Sequence, residues 1–256
     1  MYGPATFVDI GYCLEEDEGG FAFAPPHTVM STRQKPLGTR AVQNCPAVNG
    51  LERQLVVVPS PCALRLTLEE DADGPALGVI PQGTFLQPEK IAEMLELAPP
   101  ERWRHPKKPV LSLRLPFFFV TDEPNCWMSL LPPFFEAAMR RWPGAMVAGR
   151  LPLSIWPQSL SWSFEWDRPD QELHIKQGEP LAYALFEFDD PAKRPRLVEA
   201  ALTEALAEYR AGMDAVHEIT PDIEGIWASA AARRPARLLE PLDPEAAAAA
   251  GGESHG

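Results

Sequence analysis

The chain has 256 residues, a formal net charge of −13, 29 prolines, and a 45% hydrophobic and 23% charged composition. That balance is ordinary for a globular protein able to bury a core without disulfides. The acidic charge excludes sequence-independent nucleic-acid binding and disfavours anionic membranes, both of which draw on cationic side chains. So many prolines exclude a fold dominated by long helices and predict short strands joined by fixed connections.

Residues 1–50 read as an irregular N-terminal arm, with an acidic run at Glu15–Glu18, Gly19-Gly20 and Pro25-Pro26. The start, MYGPATFVDIGY, lacks the basic and apolar regions of a signal peptide, and no apolar run is long enough to span a bilayer. With four scattered cysteines (Cys13, Cys45, Cys62, Cys126), this predicts a cytoplasmic protein with reduced thiols and no membrane partner.

Regular structure is expected from Leu51. Alternation over Leu51–Val58 and Cys62–Leu68, split by Pro59-Ser60-Pro61, predicts a hairpin. Glu69–Gly74 reads as a loop and Ala76–Ile80 as a short strand. Pro88 opens a helix with Ile91, Met94, Leu95 and Ala98 on one face, stopped by Pro99-Pro100. The basic cluster Arg102, Arg104, His105, Lys107 and Lys108 reads as a solvated loop.

Val110–Val120 predicts a strand with a bulge or edge at Pro116, Cys126–Leu131 another, and Pro133–Trp142 a short helix. In Leu160–Trp166 the apolar positions Leu160, Trp162, Phe164 and Trp166 alternate with Ser161, Ser163 and Glu165, the pattern of a strand with one buried face. IKQGEPLAYALF predicts an exposed strand, a turn with Gly178 at positive φ, and a buried strand.

After Pro191 and Pro195, the spacing of Val198, Ala201, Leu202, Ala205, Leu206, Tyr209, Met213 and Val216 predicts an amphipathic helix. A second helix is expected with Thr220 as N-cap and Pro221 at its first position. The organisation expected is therefore an arm (1–50), a β-rich core (51–190), C-terminal helices packed on the core (191–242) and a disordered tail (243–256). The fold class is mainly β (α+β): an antiparallel sandwich, jelly-roll-like or β-clip-like, with peripheral helices.

Nucleophile-elbow, phosphate-loop and dinucleotide-binding motifs are absent, and the five histidines have no paired ligand spacing. No cofactor is implied, catalytic residues are unassigned, and a metal site built from distant residues stays open. The polar alternates carry the main expectation: if the strands are neighbours, Arg65, Arg114 and Lys176 are anion-binding donors, Glu165 and His174 orient the ligand, and Trp156 stacks on it. The ligand would be small and polar or anionic, or a peptide side chain. Two alternatives belong to other classes. One is an enzyme, either metal-dependent or nucleotide-processing. The other is an interaction module joining a protein partner or a second copy through its aromatic surface, FFEAAMRRW or the C-terminal helix.

The stretches LPFFFVTDEPNCWMSLLPP and MVAGRLPLSIWPQSLSWSFEWDRPDQELHIKQGEPLAYALFEF resemble an uncharacterised bacterial and phage family with a proline-rich first half, a tryptophan-containing strand and a KGEP turn. The resemblance covers residues 41–190, implies no activity, and supports reading that stretch as one domain. A weaker likeness runs to the β-clip fold of dUTPase-like proteins, through Lys176, Gly178 and Glu179 ahead of Leu181–Phe186. The aspartate-bearing hairpin and serine phosphate motif of those proteins have no counterpart in this chain, so the likeness implies fold and not nucleotide hydrolysis.

Overall fold

A computed structural model describes residues 6–15, 23–32, 44–71, 74–80, 88–219 and 222–243. In chain order its first elements are β1 (Thr6–Leu14), β2 (His27–Thr28), α1 (Val29–Thr32), α2 (Pro46–Glu52), β3 (Leu55–Pro59), β4 (Leu64–Asp71) and β5 (Gly74–Val79). Next come α3 (Pro88–Met94), β6 (Leu95–Leu97), β7 (Val110–Arg114), β8 (Phe117–Val120), β9 (Trp127–Leu131), β10 (Gly144–Met146) and β11 (Gly149–Leu151). The last are β12 (Ser161–Trp166), β13 (Leu173–Ile175), β14 (Pro180–Glu187), β15 (Lys193–Glu199), α4 (Glu204–Ile219) and α5 (Ile223–Arg233).

The fold is mainly β. Four sheets form, in the orders β15-β1-β8, β10-β12-β7-β6, β11-β9-β14-β3-β2 and β13-β4-β5. Only the β1–β15 pairing is parallel among them. All four sheets supply side chains to one core, among them Ile10, Val56, Leu66, Leu113, Phe119, Trp162, Phe164, Ile175 and Phe186. No helix among the described residues is long and apolar enough to cross a membrane.

The tryptophan strand behaves as its alternation predicts. Trp162, Phe164 and Trp166 on β12 are buried, with Trp142 set edge-on to Trp162 at 5.5 Å. Burial leaves each indole N–H in need of an acceptor; Trp162 donates to the Leu181 carbonyl (3.0 Å) and Trp166 to that of Arg168 (3.0 Å). Gly178 has φ +76°, and the turn it makes is locked to the core by its N–H on the Ser60 carbonyl (2.9 Å) and by the Ser60 N–H on that of Glu179 (2.8 Å).

Several expectations are corrected. The N-terminal arm is not irregular throughout: Thr6–Leu14 is a central strand, hydrogen-bonded to β8 on one side and β15 on the other. β3 and β4 do not form a hairpin, because β3 pairs with β14 and β2 while β4 pairs with β13 and β5. Pro59 ends β3 and Pro61 follows it, neither with an N–H for a ladder, and the connection passes from one sheet to another. Glu69–Asp71 and Gly74 belong to the β4–β5 ladder; the turn itself, 72–73, lies outside the described residues.

The run Val110–Val120 is two strands in different sheets, divided at Leu115-Pro116, where the Pro116 carbonyl accepts the Glu15 N–H (3.0 Å). α3 ends at Met94, and Leu95–Leu97 pairs instead with β7. Lys193–Glu199 is a strand, and α4 starts only at Glu204, where Thr203 Oγ1 accepts the Leu206 N–H (3.2 Å). Leu206, Tyr209 and Met213 keep the expected helical spacing and are buried against Phe118 and Val120. The N-cap of α5 is Asp222, accepting from the Gly225 N–H at 2.8 Å; Thr220 and Pro221 fall outside the described residues, as do Glu16–Glu18 and the tail beyond Asp243.

Candidate functional site

The six residues predicted to share a surface are divided by the topology. Arg65 and His174 are opposite each other on β4 and β13, and Arg65 is held bidentately by Glu172 (2.7 and 3.2 Å). Arg114 and Glu165 lie on β7 and β12 in another sheet. Both sheets turn their apolar faces to the same core, so their polar faces point away from each other. Lys176 is exposed beside the Gly178 turn, and Trp156 is half-buried against the cluster formed with the C-terminal helices. Glu179 closes its own turn, accepting the Lys176 N–H at 2.9 Å.

One of the two polar faces does form a cleft. The antiparallel registers set Ser163 opposite Ser112 and Ser112 opposite Glu96, giving a polar row across β12, β7 and β6. Ser112 Oγ and Ser163 Oγ are 3.4 Å apart. The loop between β6 and β7 folds back over this row. Pro99-Pro100 starts a 3-10 turn through Arg102, and the Trp103 indole donates to the Ala98 carbonyl (2.7 Å), anchoring the loop to the end of its own strand. Arg102 and Arg104 flank that anchor and overhang a cleft of about 260 Å³, with Ala98, Val110 and Val147 as its small apolar walls.

The charges around the cleft are unequally engaged. Arg102 approaches Glu96 only at 4.0 Å, with both side chains mostly exposed, and Arg104 has no hydrogen bond or ion pair among the described residues. To one side of the row, along the strands, Lys108 is 2.7 Å from Asp167 and 3.7 Å from Glu165; the hydrogen bond to Asp167 holds its ammonium above the ordinary lysine range. To the other side, the largely buried Glu15 carboxylate accepts from Ser159, Arg114 and Arg210 (2.9 Å from Arg210). Burial alone raises the Glu15 carboxyl, but these donors more than reverse it and leave it below the usual carboxylate range.

Two larger clefts are less suited to a ligand. One, about 430 Å³, lies beside β1 and β15, but most of its charges are already paired, Asp9 with Arg196 (2.5 Å) and Glu123 with Lys193 (2.5 Å), while Arg237 donates to the Leu239 carbonyl (2.9 Å). The other, about 440 Å³, is a shallow groove along Pro25, Pro26 and Pro195. The cleft over β6, β7 and β12, by contrast, is lined by Arg104, unpaired among the described residues, together with the two serine hydroxyls. Neither serine is hydrogen-bonded to a histidine or carboxylate among the described residues. No group of three metal-ligating side chains is found among the described residues.

Ser163 stands among the polar alternates of its strand, whereas Arg102 and Arg104 fall in the basic cluster expected to be a solvated loop and Glu96 within the span expected to be helical. The available signal was the tryptophan between the two arginines, a residue seldom left in a free loop. Compared with known proteins, the chain matches no family model, no curated protein and no solved structure.

Proposed function

We propose that the protein binds a small phosphate- or carboxylate-bearing molecule in the cleft over β6, β7 and β12. The observation that supports this is the meeting of Arg102 and Arg104 with the Ser112–Ser163 pair, Arg104 being unpaired among the described residues. A guanidinium fork matches an oxyanion bidentately, and serine hydroxyls donate to the oxygens that remain. About 260 Å³ is at the low end for ligand pockets, which favours a molecule of few heavy atoms. Isothermal titration with inorganic phosphate and small carboxylates should give saturable binding that Arg104→Ala weakens about tenfold or more, at unchanged melting temperature. Absence of binding, or equal binding by the variant, overturns the reading.

A second reading, recognition of a protein partner, has one observation in its favour. Phe134 and Phe135 are 42% and 45% exposed with ring centroids 4.6 Å apart, an apolar pair on an acidic surface. Sedimentation of the wild type beside Phe135→Ser tests it for self-association; identical monomeric profiles remove that form of it.

A further inference from the structure

Resting on the anion-binding reading, we infer that the ligand is a hydroxylated anion, a short polyol phosphate or hydroxy acid, whose hydroxyl end is held by Glu96. Glu96 lines the same cleft as Arg102 and Arg104, and a carboxylate there repels a bare anion. Among the described residues it has no tight ion pair: Arg102 stands at 4.0 Å, and the side chains of Arg102 and Glu96 are 72% and 66% exposed. A carboxylate that accepts only, placed beside donors that donate only, demands a ligand carrying both kinds of group.

The register sets where each group goes. Glu96, Ser112 and Ser163 are consecutive across three strands, so the row spans roughly 10 Å at the usual strand separation of about 4.8 Å. That length fits a small molecule whose hydroxyls run along the row to Glu96 while its anionic group meets the Arg104 guanidinium. The serine hydroxyls, able to donate and accept, bridge the middle, while Ala98, Val110 and Val147 leave room for a thin carbon backbone and no aromatic ring to stack a base. Glu96 is then a specificity residue: it favours ligands with hydroxyl donors and penalises ligands without them.

The test is titration calorimetry on the full chain with glycerol 3-phosphate, glycerate, inorganic phosphate and glycerol, using wild type, Glu96→Ala and Arg104→Ala. The wild type should bind glycerol 3-phosphate or glycerate about tenfold more tightly than inorganic phosphate, and glycerol weakly or not at all. Glu96→Ala should weaken the hydroxylated anion and tighten inorganic phosphate, two shifts of opposite sign that a general loss of structure cannot produce. Glycerol 3-phosphate against glycerate separates phosphate from carboxylate as the anionic end. If phosphate and the hydroxylated anions bind alike, or Glu96→Ala moves all of them in one direction, the inference is overturned while anion binding stands. If no anion binds, or Arg104→Ala changes nothing, both fall together.

Discussion

Single atoms decide much of the packing, and Gly11 shows how. A Cβ at that position would lie 2.8 Å from the Ala200 Cβ, 2.9 Å from Val120 Cγ1 and 3.2 Å from Leu239 Cδ1, so hydrogen is what allows the chain's end to lie on β1. Gly11→Ala should destabilise by about 1–3 kcal/mol, read as a lowered denaturant midpoint with unchanged slope. Thiol chemistry is graded by the same burial. Desolvation pushes Cys13, Cys62 and Cys126 up to about 12, whereas Cys45 is exposed. Alkylation of the native protein at mildly alkaline pH should therefore modify one thiol quickly and three only after denaturation, as counted by intact-mass spectrometry. Alternation along β12 made its buried tryptophans legible from the chain alone, because burial there repeats every second residue. The need for glycine at position 11 is not legible, since it comes from contacts with Val120, Ala200 and Leu239, all distant in sequence.

Among the elements, pairing overrode local preference wherever the two disagreed. Lys193–Glu199 extends as a strand because β1 offers it a seven-residue parallel ladder, from Thr6 against Lys193 to Tyr12 against Glu199. Pro195 is tolerated there because β15 is an edge strand. Likewise Leu95–Leu97 left its expected helix for β7, and that choice turned Glu96 outward into the row with Ser112. The polar half of the candidate site was therefore visible as alternating serines, while its cationic half depended on a loop fold that no periodicity encodes. α4 is joined to the sheets by the Glu15 carboxylate, which accepts from Arg210 on the helix and Arg114 on β7, and Arg210 also sits 3.6 Å over the Phe118 ring. Because the folded-state pKa of Glu15 is depressed, its contribution is present above the ordinary carboxylate range and is lost as pH falls through the folded value. Glu15→Gln should cost about 1–3 kcal/mol at neutral pH, and the gap in melting temperature from wild type should narrow on acidification. A gap that stays constant with pH would show that the charge of Glu15 does not support the docked helix.

At the scale of the molecule, the sheet β15-β1-β8 joins two apolar clusters. Its one face gives Val8, Ile10, Phe117 and Phe119 to the main core, and the other gives Cys13, Phe118 and Val120 to the cluster with α4 and the segment at Leu238-Leu239. This explains an unbroken apolar run, FFFV, in which every residue is buried. It also means that the two ends of the described chain complete one sheet, since β1 can reach its parallel partner only after most of the chain has been placed. Pairings of such sequence separation pay a large loop-closure cost before any contact repays it, so folding should be slow and cooperative. Truncation after Ala192 would remove β15, α4 and α5 together, strip β1 of one ladder and expose Phe118 and Val120. The truncated chain should consequently lose its near-ultraviolet tryptophan signal and bind a hydrophobic dye, even though Trp142, Trp162 and Trp166 are all retained. Retention of a sharp thermal transition and a native near-ultraviolet spectrum would instead show that the other three sheets stand without the C-terminal elements.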